Sequence, residues 1–129
     1  MSLCVGGVAT NYGVATDASG FFTVTAGLPD GSYNWRLKGA INLANSGTLS
    51  MSGASASLEM GTMKAGDANS SDNVSVVDFN MVKNAFGTGV GGPGYDDRAN
   101  FNRDGAVNSV DFTLLKGSFS QAGSALVCP

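Results

Sequence analysis

The sequence predicts two small modules, an all-β sandwich followed by an α-helical unit built around two duplicated, oxygen-rich loops. Three observations carry this. Charge is split along the chain: Asp17, Asp30 and Glu59 balance Arg36, Lys38 and Lys64 in the first half. The seven aspartates of the second half face only Lys83, Arg98, Arg103 and Lys116, so the whole formal net charge of -3 lies there. The first half shows short period-two stretches broken by turn residues, and the second half repeats itself at a fixed offset of 33 residues. The boundaries drawn from this are 1–65 for the β module, 66–123 for the duplicated module and 124–129 for a C-terminal tail.

Composition narrows the function classes. The chain has 129 residues, no histidine and one glutamate, Glu59. The commonest general base and zinc ligand is therefore absent, and a paired-glutamate catalytic site is excluded. Nothing places a lysine beside a nucleophile, so no enzyme activity is expected. Lys and Arg total 7 against 10 acids, which removes a basic nucleic-acid footprint. No apolar run approaches the roughly 20 residues that span a bilayer. The opening Met-Ser-Leu has no basic or apolar leader and reads as the start of a fragment. Low charge with abundant Gly, Ser, Thr and Asn fits a secreted bacterial protein. Cys4 and Cys128 are either a disulfide, as an even pair in a secreted protein often is, or two separate thiols.

In the first half the candidate strands are 3–9, 12–16, 20–26, 31–38, 47–51 and 56–62. The turns between them use Asp17-Ala-Ser-Gly20, Pro29-Asp-Gly31 and Ser52-Gly53, where Gly supplies positive φ and Asp or Ser bonds its own backbone. Along Ser32–Lys38, Tyr33, Trp35 and Leu37 share one face as core, and Asn34, Arg36 and Lys38 share the face expected to meet water.

In the second half, each repeat opens with a twelve-residue loop, Asp67–Asp78 and Asn100–Asp111. Oxygen side chains at loop positions one, three, five and twelve, with a backbone carbonyl at seven, form the EF-hand arrangement for a hard cation. The ligands of the first loop are Asp67, Asn69, Ser71, Asn73 and Asp78; those of the second are Asn100, Asn102, Asp104, Ala106 and Asp111. Two Ca²⁺ ions are expected, each held by two in-register carboxylates and therefore weakly. Val74 and Val107, at position eight, are expected to pair the loops. Gly105 stands at the sharp turn of position six where the first loop has Asp72, so the second loop is expected to be less strained and tighter. Asp72 is read as adding negative charge to the first loop. Ser75-x-x-Asp78 and Asn108-x-x-Asp111 read as helix N-caps. Phe79, Val82 and Phe86, and then Phe112, Leu115 and Phe119, recur at helical spacing as core faces. No entering helix precedes either loop, and only a turn fits at 95–99.

Two resemblances follow from these strings. Thr16-Asp-Ala-Ser-Gly-Phe-Phe and Leu28-Pro-Asp-Gly-Ser-Tyr33 resemble the carboxypeptidase regulatory-like modules, which implies an immunoglobulin-like or transthyretin-like sandwich with Phe22 and Val24 in the core and Phe21 exposed. A sugar-stacking role for Phe21, as in an accessory adhesion module, is the weaker reading. Gly66-Asp-Ala-Asn with Val77-Asp-Phe-Asn, and Arg98-Ala-Asn-Phe-Asn-Arg-Asp-Gly with Val110-Asp-Phe-Thr-Leu-Leu-Lys116, look like dockerin type I repeats. That resemblance implies a non-catalytic, calcium-folded module that docks on a cohesin domain. It would attach a secreted or cell-surface bacterial protein, often a polysaccharide-degrading one, to a scaffold. It also implies a contact face of Val76, Val77, Lys83 and Asn84 in one repeat and Ser109, Val110, Lys116 and Gly117 in the other. The alternative is a calcium-stabilised cap on the chain's own β module.

Overall fold

The computed structural model describes residues 1–128. The chain divides into two compact units, neither continuous in sequence. One comprises Met1–Leu37, Asn45–Gly61 and the chain from Ser124 onward; the other comprises Lys38–Ala44 and Thr62–Gly123. This departs from the continuous blocks 1–65, 66–123 and 124–129. Residues 38–44 leave the first module to join the second, and the tail returns to the first.

The first unit is a four-stranded antiparallel sheet. Its strands are β1 (Ser2–Val5), β2 (Val8–Asn11), β3 (Gly31–Leu37) and β4 (Asn45–Met51), in the order β2-β1-β3-β4. The candidate strands 12–16, 20–26 and 56–62 form no ladder, and the described residues form one four-stranded sheet. Alternation supplies a face but no backbone partner, and the bonds these segments make are isolated ones. Asp17 Oδ1 accepts from the Ser19 and Phe21 N–H groups, and Asn45 Nδ2 donates to Met60 O. Phe21 is exposed, as the resemblance implies, whereas Phe22 and Val24, expected in the core, are only half-buried.

Within the sheet Trp35 is buried and lies in register with Gly47 on β4. A Cβ at Gly47 would sit 2.9 Å from the indole Cζ2, so glycine there makes room for the ring. Asn34 and Arg36, expected to face water, are half-buried because the C-terminal segment covers them. Asn34 Nδ2 donates to Val127 O at 2.6 Å and Arg36 Nε to Ser124 O at 2.7 Å. The tail is fastened at its end by a disulfide between Cys4 and Cys128, whose Cα atoms are 5.3 Å apart.

The second unit holds two ten-residue helices, α1 (Val76–Ala85) and α2 (Ser109–Ser118), and a 3-10 turn at Asp97–Ala99. Both helices begin at the expected caps, Ser75 and Asn108, each in a reciprocal capping box with the aspartate three residues on. Val82, Ala85 and Leu115 are buried with Val74, Val107, Ala68, Ala99 and Phe101. Phe86, Phe112 and Phe119 are exposed instead of forming the expected core. Phe86 and Phe119 are C-caps with extended backbone, where the helical spacing no longer applies.

The loops also pair differently from expectation. Val74 does not bond Val107; its N–H donates to Gln121 O and its carbonyl accepts from Ser120. Val107 makes the corresponding pair with Thr88 O and Gly87 N–H. Each loop thus pairs with the segment that follows the other repeat's helix, and the two sets are related by the 33-residue offset. Residues 38–44 complete the core by adding Ile41 and Leu43. Ile41 O accepts from both Gly66 and Asp67 N–H, and Leu43 N–H donates to Lys64 O. Gly66 has φ +129 and a Cβ there would meet Val74 and the Leu115 backbone, so this close approach needs glycine.

Two outcomes follow. Leu43→Ala lowers the stability of the helical unit by about 2–5 kcal/mol, although it lies more than twenty residues before the first loop; denaturant melts followed by helix signal measure it. Replacing both cysteines by serine destabilises the β unit by about 2–5 kcal/mol, close to the loop-closure entropy of so long a cross-link; near-ultraviolet or Trp35 fluorescence melts read that unit.

Candidate functional site

The first and twelfth positions of both loops lie inside the helical unit: Asp67, Asp78 and Asp111 are 0% exposed and Asn100 is 2% exposed. The twelfth-position carboxylates close the loops. Asp78 Oδ1 accepts from Asn69 N–H at 3.1 Å and its Oδ2 from Ser75 N–H at 2.8 Å. Asp111 Oδ1 accepts from Phe101 N–H at 2.7 Å and Asn102 N–H at 3.3 Å, and its Oδ2 from Asn108 N–H at 2.9 Å. One side chain therefore ties the entrance of the loop to the start of the helix. Each also sits in the first helical turn, where negative charge is favoured by the helix dipole.

The middle positions are held by short-range turns. Asn69 Oδ1 accepts from Ser71 N–H, and Ser71 Oγ donates to Asn73 O. In the second loop Asn102 Oδ1 accepts from Asp104 N–H, and Asn102 Nδ2 donates to Asp104 Oδ2. The Ala106 N–H, then the Asn102 amide, hold the Asp104 carboxyl below its ordinary pKa. Position six is left-handed in both loops, with φ +62 at Asp72 and +89 at Gly105.

The first positions are held in two different ways. Asp67 Oδ1 accepts from Ser71 N–H at 2.9 Å, and its Oδ2 from Asp72 N–H at 2.8 Å and from the Lys38 ammonium at 2.9 Å. Asn100 Nδ2 donates to Tyr95 Oη at 2.9 Å, and Tyr95 Oη donates to Asp97 Oδ1 at 3.1 Å. Asn100 Oδ1 is buried with no hydrogen-bond partner. Nearby, Arg103 pairs with Asp97 and Arg98 with Asp96, which lowers both carboxyl pKa values.

Sequence reasoning missed Lys38 and Tyr95. Nothing local marks Lys38, which strand alternation places on a water-facing edge. Tyr95 stands five residues before the loop it serves. Asp72, expected to add negative charge to the first loop, has its Oδ1 accepting from Ala44 N–H at 2.7 Å. Gly123 N–H donates to Asp72 O, and a Cβ on Gly123 would collide with the same carboxylate.

Calcium fits the second loop. Among the described residues no three acidic or cysteine side chains converge, so neutral oxygens must complete any shell. The orphaned Asn100 Oδ1 is such an oxygen; an unpaired buried acceptor costs about 1–3 kcal/mol, which a cation relieves.

The eight contact residues carried over by resemblance all lie on the surface. Beside Val76 and Lys116 runs an apolar groove of ≈ 460 Å³ lined also by Phe79, Phe112, Leu115 and Phe119. Phe79 and Phe112, one from each helix, meet edge-to-face at 6.1 Å.

Duplicated capped helices, each entered through a twelve-residue oxygen loop with no helix before it, define the class. Residues 65–120 match the dockerin type I domain. No curated protein sequence matches the chain. In fold the chain is similar to two crystal structures, a C-terminal and an N-terminal interface mutant of a type II cohesin–X–dockerin complex from Acetivibrio cellulolyticus. The TM-scores are 0.68 and 0.69 and the identities 22% and 23%; each match covers 95% of this chain and 81% of the other.

The Asp72 contact is testable. Asp72→Ala leaves Ala44 N–H without this acceptor and destabilises the helical unit by about 1–3 kcal/mol, read as a lower chemical-denaturation midpoint.

Proposed function

We propose that residues 65–120 bind a cohesin-type domain and attach the protein that carries them to a scaffold outside a bacterial cell. The observation that carries this is the exposed apolar groove between α1 and α2, with Lys116 in its lining. Monomeric surfaces seldom leave contiguous aromatic area uncovered. The similar structures, complexes of a cohesin with an X–dockerin, support the same partner class. Parent proteins that degrade polysaccharides fit this attachment role.

Two Ca²⁺ ions complete the module. Asp67, Asn69, Ser71, Asp78 and the Asn73 carbonyl hold one; Asn100, Asn102, Asp104, Asp111 and the Ala106 carbonyl hold the other. Held there, a cation would share Asp78 or Asp111 with the helix that each of these side chains caps.

The repeat relates Val77 to Val110 and Lys83 to Lys116, so either repeat can offer Val76, Val77, Lys83 and Asn84 or their counterparts Ser109, Val110, Lys116 and Gly117. Phe79 and Phe112 exchange places under the same relation and serve both orientations. Val76 maps on Ser109, so the two repeats differ in polarity at that position.

Pull-down against a panel of cohesins, with calcium and with chelator, tests the proposal. Capture by a cohesin in calcium and its loss in chelator is the expected result; no capture by any cohesin overturns it. With a captured partner, Phe112→Asp weakens binding about 30-fold or more, as a central aromatic anchor should. Lys83→Glu and Lys116→Glu each cost little alone and much more together. Full losses from each single change would mean one fixed orientation.

A further inference from the structure

We infer that the two loops respond to calcium unequally: the Lys38 ammonium and its strap keep the first loop ordered when the cation is removed, whereas the second loop is ordered only with it. The inference rests on the calcium reading above and deepens it.

A carboxylate taken out of water needs a countercharge or a full set of donors. Asp67 has both without a metal. Lys38 Nζ stands 2.9 Å from its Oδ2 with the lysine side chain 19% exposed, and two backbone N–H groups complete the set. The strap fastens the same loop twice more. Ile41 O holds the Gly66 and Asp67 N–H groups at 3.1 Å, and Ala44 N–H holds Asp72 at the loop's turn. Lys38, Ile41 and Ala44 all lie in residues 38–44, outside the repeat.

The second loop has no such partner. The repeat counterpart of Lys38 is Ser71, itself inside the first loop. A 3-10 turn precedes Asn100, and Tyr95 takes the Asn100 amide N–H, which leaves Oδ1 buried with nothing to accept from. Without metal each loop keeps one buried carboxylate lacking a basic partner among the described residues, Asp78 or Asp111. Only the second loop adds an unpaired acceptor. Lys38 also places a positive charge beside a ligand of the first loop, which opposes a cation there. The second loop is therefore the tighter and the more metal-dependent of the two.

The experiment is amide hydrogen exchange on the full chain, calcium-loaded and stripped by chelator, beside a calorimetric titration with CaCl₂. The expected result is that Phe101 and Asn108 amides lose protection about tenfold or more on stripping, while Ser71 and Asp72 amides keep theirs. Lys38→Met makes the Ser71 and Asp72 amides fall with the others in chelator and recover in calcium. Lys38→Arg keeps the charge and the wild-type pattern. Loss of protection in both wild-type loops alike, or first in the first loop, overturns the inference while leaving the calcium reading intact. So does a Lys38→Met chain whose first loop stays protected in chelator, or one that fails to fold while Lys38→Arg shows both loops stripped alike. A titration without heat and without any change in exchange removes the calcium reading, and the inference falls with it.

Discussion

The helical unit depends on burying a carboxylate at the junction of each loop with its helix. Asp78 and Asp111 are withdrawn from solvent, and each answers backbone N–H groups from both ends of its loop. That one side chain does three things: it caps a helix, closes a twelve-residue loop and concentrates negative charge where a cation can use it. Burial makes the arrangement stiff, because an anion in a low-dielectric interior tolerates no missing donor. It also explains why the loops need no entering helix. The carboxylate supplies the closure that packing of a second helix would otherwise give.

Duplication turns this local device into a fold. Neither repeat can bury its own apolar face, since each helix has only ten residues and mixed polarity. The backbone exchange solves the problem: the strand-like residues after α1 pair with the second loop, and those after α2 pair with the first. Each repeat is thereby closed by the other, and Val74 and Val107 lie fully buried at the two symmetric crossings. The aromatic residues that the exchange leaves outside, Phe112 and Phe119 with the half-buried Phe79, make the groove. The surface proposed for a partner is thus what remains after the pair has satisfied itself.

Much of this was legible because it is written locally. Caps, ligands and turn all fall within twelve residues, so Ser75, Asp78, Asn108 and Asp111 could be placed from spacing alone. The repeat offset then placed both helices. The first unit was legible in part: β3 and β4 stand close to their expected positions, and Trp35 is core. Residues 12–16, 20–26 and 56–62 have the alternation of strands but no strand to pair with, and pattern cannot supply a partner. The strap was invisible for a related reason. Ile41, Leu43 and Lys38 act on residues 21 to 29 positions away, and no local rule links an ammonium at the end of a strand to an aspartate that opens a loop. The aromatic C-caps misled because helical spacing was carried one residue past the helix.

The two first-position residues show how such long-range partners arise. Asp67 is charged and buried, so it must be answered by charge, and Lys38 answers it. Asn100 is neutral and buried, so a hydroxyl suffices for its N–H, and Tyr95 provides it. The two loops are answered with different chemistry. The Asp67 pair is complete in itself, whereas the Asn100 pair is complete only on its nitrogen side. An amide presents one donor end and one acceptor end, and fixing the first aims the second. A neutral ligand at position one thus gives up Coulomb attraction for the cation in exchange for orientation, and orientation is supplied by residues that the ligand pattern itself does not contain.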